Sequence, residues 1–260
     1  MDYEPDSYRG VCAVCGGTGT FSRQHRAIRE TYRCPHCGAL LRERHQAQAI
    51  VDAYGGPSCA CLARLVQDPA FARLRVYEPG TAGRLRAWLR RLAYYRQSDL
   101  YEEALRGSAT EEVPHQDLEA LTWGDGSFDL VVTSDILEHV RHPEAALAEV
   151  ARVLTPGGRH IFTVPLQDPL RPVSVRRVDT SGETDVPLLP ERYHGDGKGG
   201  RALVYVDFGE DLLDMIRATG MEARFERGRS GSAIANTAVT VVSRRPPGRR
   251  GAAAAEPVRA

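Results

Sequence analysis

HQDLEALTWGDGSFDLVVTSDILEHVRHPEAALAEVARVLTPGGRHIFTVPL, residues 115–166, is the stretch whose reading decides the fold. Its centre, FDLVVTS (128–134), is apolar and β-branched with little alternation, as a central strand covered on both faces is. From Pro143 onward Leu147, Val150, Ala151 and Leu154 recur at i, i+3, i+4 and i+7, one face of a helix. Pro143 suits the first turn of that helix, and Thr155-Pro156-Gly157-Gly158 stops it. RHIFTVP (159–165) is the following strand. Strand, helix and strand in this order form a βαβ unit of a parallel sheet.

The same alternation extends in both directions. LRVYE (74–78) predicts a buried strand, followed by a glycine-containing turn and a helix over GRLRAWLRRLA; YYRQS is a short second strand. Asp207 and Glu210 have capping-box spacing for a helix through Leu212, Leu213 and Ile216, and TAVTVVS (237–243) is a last strand. These elements predict an α/β domain of βα units around a mostly parallel sheet over residues 71–243. Residues 166–206 are rich in Pro, Gly and charge and are expected to be irregular. So long a connection is functional or mobile in most domains, and this one is expected to wall the acceptor side and act as a lid. Arg192, Tyr193, His194, Asp196 and Lys198 lie there, able to meet a polar acceptor. From Arg244 to 260 the chain has no periodic apolar face and is expected to be a disordered tail.

All six cysteines lie before residue 62. Cys12-x2-Cys15 and Cys34-x2-Cys37 are separated by 18 residues, and two such turns can close a tetrahedral four-thiolate zinc site. Gly16 and Gly38 follow each pair. The domain expectation is therefore a four-cysteine zinc ribbon over 1–45, a helical connector over 46–70, and the α/β domain over 71–243. His36 is read as exposed, and Cys59 and Cys61 as small buried residues. The ribbon carries Arg9, Arg23, Arg26, Arg29, Arg33, Arg42 and Arg44 against Glu30 and Glu43. That excess either grips nucleic-acid phosphate or is a solvated face; it lacks interleaved stacking aromatics.

Composition narrows the rest. The chain of 260 residues has 34 basic and 34 acidic side chains, so whole-chain charge does not predict a polyanion partner. No uninterrupted apolar run of about 18 residues is present. The polar, acidic start MDYEPDSYRG has no apolar core of a signal peptide, and a cytoplasmic location is the expectation.

Glu78-Pro79-Gly80-Thr81-Ala82-Gly83 follows a strand and opens a helix, where glycines let backbone approach a cofactor. Asp99, 19 residues after Gly80, ends the second strand, where an acidic side chain can accept both ribose hydroxyls. Taken with Asp117-Leu118, GDGSFDLVV, Leu137-Glu138-His139-Val140 and Arg152-Val153-Leu154-x-Pro156-Gly157-Gly158, the order closely resembles class I S-adenosylmethionine-dependent methyltransferases of the type 11 group. The resemblance implies a Rossmann-like, doubly wound, mostly parallel seven-stranded sheet. It also implies that Gly80 and Gly83 line the methionine part of the cofactor, with Glu78 near its amino group. Asp99 would hold the ribose, Asp117 and Leu118 the adenine, and Ser134 would flank the methionine. EPGTAG departs from the family pattern in lacking its last glycine. CPHCGALLRERHQ also resembles N-terminal modules of some bacterial methyltransferases.

Methyl transfer from a sulfonium is an in-line displacement, and a hydroxyl acceptor must also lose a proton. His139 and His194 are the catalytic candidates. His139 is either a general base or part of a packed Leu-Glu-His-Val turn; His194 either reaches the acceptor from the loop or is solvated. No cysteine after Cys61 is available to attack a pyrimidine ring, and Thr133-Ser134-Asp135-Ile136 is not the Pro-Pro-aromatic turn of exocyclic-amine DNA methylases. The expectation is an S-adenosylmethionine-dependent methyltransferase with structural zinc, methylating a hydroxyl of a small molecule or saccharide, with no membrane partner. An RNA methyltransferase gripping RNA through the ribbon, and a non-catalytic cofactor-binding module, are the alternatives.

Overall fold

The computed structural model describes residues 6–80, 83–100, 113–195, 199–228 and 238–247. The N-terminal region opens with an antiparallel hairpin, β1 (Ser7–Val11) and β2 (Thr18–Ser22), and a 3₁₀ turn at Ile28–Glu30. Helix α1 (Leu41–Tyr54) follows, then the single-turn α2 (Leu62–Leu65). The boundary expected between residues 45 and 46 thus falls inside a helix.

The α/β region runs β3 (Val76–Pro79), α3 (Arg86–Leu89), β4 (Tyr95–Ser98), β5 (Phe128–Ser134), α4 (Pro143–Val153) and β6 (Leu154–Thr163). Six short strands follow: β7 (Val175–Arg176), β8 (Val178–Asp179), β9 (Val186–Pro187), β10 (Tyr193–Gly195), β11 (Arg201–Leu203) and β12 (Val206–Asp207). Helix α5 (Leu212–Ala218) and strands β13 (Glu222–Glu226) and β14 (Thr240–Arg244) complete the fold.

The central sheet has the order β13-β14-β6-β5-β3-β4. Its β4-β3-β5-β6 part is parallel, and β14 is antiparallel to both neighbours. Alternate residues sort cleanly to the two faces. Val76, Leu130, Val132, Ile161 and Val242 pack with α1 and the N-terminal region; Tyr77, Val131, Phe162 and Val241 pack with α4 and α5. The doubly wound mixed sheet is as expected, but it has six strands among the described residues, not seven. At the β4 edge, among the described residues, only an isolated parallel bridge, Asp99 to His115, occupies the place of a further strand. The chain turns immediately afterwards, with Asp117 Oδ1 accepting the Glu119 amide at 2.9 Å and its carbonyl accepting that of Ala120. That local turn competes with continued pairing.

Other details differ from expectation. The helix read from Gly83 to Ala93 is α-helical only over Arg86–Leu89. Asp207 does not form a capping box; it lies in β12 and pairs with Arg177 and Arg192. Asp211 stands before α5, and its carboxylate accepts from Ser174. The tail does not begin at Arg244, which closes β14. Arg245 exchanges backbone bonds with Gly157 and Gly158, and its guanidinium donates to carbonyls of Ala151, Arg152 and Leu154 at the end of α4. Residues 248–260 lie outside the described residues.

Helix α1 has no simple apolar stripe: Glu43, Arg44, His45 and Gln46 are all buried. Each has a partner. Glu43 accepts from the Leu40 and Arg84 amides; Arg44 donates to the Tyr8 hydroxyl and the Tyr32 carbonyl and lies over the Phe21 ring. His45 Nδ1 bonds the Ala238 carbonyl at 2.7 Å, and burial pushes its pKa down to about 4. Gln46 donates to the carbonyls of Thr133 and Ile161 and accepts from the Ser134 hydroxyl. A Gln46→Ala variant leaves those groups unpaired, a penalty of about 2–4 kcal/mol. Urea titration should show that loss, while an unchanged midpoint would remove α1 from the framework of the sheet.

Candidate functional site

The carboxyl ends of β3, β4, β5 and β6 open into one cavity of about 930 Å³. In open α/β sheets this is the edge where ligands bind. Glu78, Gly80, Asp99, Asp117, Leu118, Ser134, His139 and His194 all line it, brought together from positions more than a hundred residues apart. Gly83 does not line it; a side chain there would meet Glu43. Residues 81 and 82 of the same turn lie outside the described residues.

Each side chain is held in place. Glu78 is buried at the end of β3, takes a bond from the Tyr95 hydroxyl at 2.7 Å and lies 3.8 Å from Arg86. Burial outweighs those partners and pushes its pKa up to about 7. Gly80 has φ +84°, and a Cβ there would stand 3.4 Å from Ile136, so both conformation and space favour glycine. Asp99 is buried, and one of its oxygens accepts the Leu100 amide. Ser134 reaches the cavity, although its hydroxyl is taken by Gln46.

The N-terminal region supplies a wall that sequence reasoning missed. Arg29 and Arg42 both line the cavity and both bind Asp135. Arg29 is bidentate, at 2.7 and 2.9 Å, and Thr163 donates a third bond. Although burial opposes ionisation, the two guanidiniums hold the Asp135 carboxyl down at about 2. Asp135 itself sits at φ +52° directly after β5. With Arg44 turned inward as well, three of the seven ribbon arginines are committed inside the molecule.

On the opposite wall, the segment read as irregular forms small antiparallel pairs, β7 with β12, β8 with β9, and β10 with β11. His194, Gly195, Ala202 and Tyr205 reach the cavity from it. Arg192 instead pairs with Asp207, and exposed Tyr193 bonds Glu191. Asp196 and Lys198 lie outside the described residues. His139 Nδ1 bonds the Leu203 carbonyl at 2.7 Å, so the ring docks on the β10–β11 hairpin with its Nε2 turned inward. The His139 and His194 rings meet edge to face, 5.1 Å between centroids.

The four knuckle cysteines of the N-terminal region converge on one another. Cys12 and Cys37 sulfurs are 3.8 Å apart, and those of Cys15 and Cys34 are 3.7 Å apart. A tetrahedral zinc with bonds of about 2.3 Å sets its sulfurs about 3.8 Å apart, so the cluster fits that ion. Gly16 and Gly38 are at φ +79° and +74° and return their amides to Cys12 and Cys34, as the tight turns require. Burial pushes the Cys15 thiol up to about 11, and a bond from Cys37 together with burial raises Cys12 further. Clustered thiols of this kind ionise readily only around a cation. His36 is exposed, its Nε2 on the Thr18 carbonyl, while Cys59 is half-buried and Cys61 buried.

Comparison with known proteins places the cavity in context. Residues 79–162 match the family model described as a methyltransferase domain, a match that runs from the end of β3 through β6. Over 111 residues the chain is 31% identical to the ubiquinone/menaquinone biosynthesis C-methyltransferase UbiE of Ectopseudomonas mendocina, covering 43% of each chain. It is 46% identical over 59 residues to an uncharacterized 37.1 kDa protein in transposon Tn4556 of Streptomyces fradiae, covering 23% of this chain and 17% of that one. The chain thus spans less than half the length of these curated relatives. Among solved structures, an S-adenosylmethionine-dependent methyltransferase from Mesorhizobium loti aligns with 66% of this chain and 91% of its own, at 20% identity and TM-score 0.43.

Neutralising Asp135 should uncouple the N-terminal wall. Its depressed pKa contributes stability that is present above about pH 4 and lost as pH falls toward 2. Asp135→Asn should cost about 3–5 kcal/mol at neutral pH, because two guanidiniums lose their shared anion. Melts across this acid range should be flatter for the variant than for the wild type; equal slopes would show that the cluster contributes nothing.

Proposed function

We propose that the chain is an S-adenosylmethionine-dependent methyltransferase with a structural zinc in its N-terminal region, acting on a small-molecule or saccharide acceptor. The observation that carries the reading is the convergence of Gly80, Asp99 and Asp117, inside the segment that matches the methyltransferase model, with Glu78 just before it, on one cavity at the strand ends. When bound, the cofactor supplies a methyl group activated by a sulfonium.

The chain's residues do the rest. Asp99 would accept from the ribose hydroxyls, and Asp117 with Leu118 would hold the adenine. Glu78, raised toward neutrality by its burial, would ionise against the cofactor's ammonium group. Gly80 would let the backbone approach, and Ser134 would flank the methionine part through its main chain, since its hydroxyl is engaged. His139 and His194, whose rings meet at one corner of the cavity, would engage an acceptor oxygen there. That corner supports O-methylation. The C-methyltransferase name of the UbiE relatives supports a second reading, transfer to carbon. RNA is less favoured, because Arg29, Arg42 and Arg44 are occupied internally.

The decisive assay gives the protein methyl-labelled cofactor and cell extract, fractionates the label into RNA, protein, glycan and small-molecule pools, and identifies the methylated atom. Label in the small-molecule or glycan pool, on oxygen, is expected; label in RNA or on carbon would transfer the assignment to one of the alternatives.

Two variants test the parts separately. Asp99→Ala should weaken cofactor binding by roughly ten- to a hundredfold, about 1.5–3 kcal/mol, with the melt unchanged. Calorimetry giving wild-type affinity would place the ribose elsewhere. Purified protein should carry one zinc per chain, and Cys34→Ser should lose it and loosen the N-terminal region. Elemental analysis finding no metal in wild-type protein prepared without chelator would refute the zinc assignment.

A further inference from the structure

Glu138 stands out among the buried charges of the described residues. Its side chain is only 1% exposed, and neither carboxylate oxygen has a hydrogen-bond partner among the described residues. An isolated buried carboxylate is costly, and burial raises its pKa accordingly. The arginines lining the cavity do not relieve it: Arg29 and Arg42 are bound to Asp135, and Arg141 to Asp185. The groups that do face it are two imidazoles. His139 Nε2 and His194 Nδ1 each lie 3.7 Å from the same oxygen, Oε1, too far for a hydrogen bond.

We propose that Glu138, His139 and His194 form a binding site for a divalent first-row transition-metal ion, distinct from the four-cysteine cluster. One ligand atom from each residue already lies within 4.8 Å of the others. Ligand atoms about 2.1 Å from a tetrahedral ion stand about 3.4 Å apart, so side-chain rotations of an ångström or so close the set. The tautomer is prepared as well: with Nδ1 of His139 donating to the Leu203 carbonyl, Nε2 carries the lone pair. Metal-bound histidines are oriented by such a second bond. Glu138 and His139 come from the turn after β5, whereas His194 comes from the β10–β11 hairpin. Occupancy would therefore pin the hairpin to the sheet.

Two imidazoles and one carboxylate suit Mn²⁺, Fe²⁺, Co²⁺ or Zn²⁺ better than Ca²⁺ or Mg²⁺, which prefer oxygen donors throughout. His139 and His194 line the cavity, so remaining coordination positions face it and would take water or an acceptor oxygen. Only this last role rests on the proposed methyl transfer; in it the histidines act by holding the ion rather than by taking a proton.

The test uses the full zinc-loaded chain and Mn²⁺ alone, with free Mn²⁺ followed by electron paramagnetic resonance. The hard Mn²⁺ ion is a poor match for thiolates, so the cysteine cluster does not compete. Wild-type protein should take up one Mn²⁺ per chain saturably, and Glu138→Gln and His194→Ala should each weaken uptake at least about tenfold. His194 is on a half-exposed hairpin, so its variant decides the matter should the buried Glu138→Gln fail to fold. S-adenosylhomocysteine binding, measured in parallel, separates the two readings: Mn²⁺ uptake without it upholds the metal site and counts against the methyltransferase assignment. No saturable uptake by the wild type, or unchanged uptake by folded His194→Ala, would overturn the metal site.

Discussion

The buried polar start of α1 is the constraint on which the other parts depend. Glu43, Arg44, His45 and Gln46 occupy four consecutive positions where an ordinary amphipathic helix would show two faces. They are tolerated only because each meets a fixed partner: two backbone amides, the β1 hairpin, the start of β14's segment, and the carbonyls of β5 and β6. Burying polar groups without such partners costs several times what a satisfied bond returns. The seam therefore allows only one docking of the N-terminal region on the sheet. That docking delivers Arg29 and Arg42 to Asp135 at the mouth of the cavity.

Around the cavity, charge is sorted by function. Asp135 is fully neutralised by two guanidiniums and serves the architecture. Glu78 has weaker help from Arg86 and Tyr95 and stays poised near neutrality. Glu138 has no hydrogen-bond partner for either oxygen among the described residues. The protonation preferences of Asp135, Glu78 and Glu138 thus diverge, the first held low and the two buried glutamates raised, according to whether a cation faces them closely. A cationic ligand or an ion is stabilised at the second and third.

Much of the site was legible because local patterns report it. FDLVVTS and the periodicity from Leu147 to Leu154 gave β5 and α4 directly, and the cysteine spacing gave the four-sulfur cluster. Of the eight candidate residues that the structure gathers at the cavity, Glu78, Gly80, Asp99, Ser134 and His139 lie at strand ends or in the turns beside them, where position in a βαβ unit is informative, and Asp117 and Leu118 follow the isolated bridge at His115. His194 is the exception; its place depends on a hairpin of only three residues per strand, too short to show alternation. Long-range polar pairing left no signature either: Arg29 and Asp135 are 106 residues apart, and an arginine-rich segment looks the same whether solvated or clamped. EARFE was missed as β13 because charges alternate with its half-buried residues. The seventh strand was expected from family likeness alone, and among the described residues the Asp117 turn stands in its place.

The central claim, that the cavity at the strand carboxyl ends is the cofactor site, is tested most directly by hydrogen exchange of the full chain with and without S-adenosylhomocysteine. Bound ligand should slow exchange at Gly80, at Asp99 and Leu100, and across Asp117 to Glu119, with Ile136 to His139 protected to a lesser degree. Ligand-dependent protection confined to other surfaces, or no protection at any concentration, would contradict it.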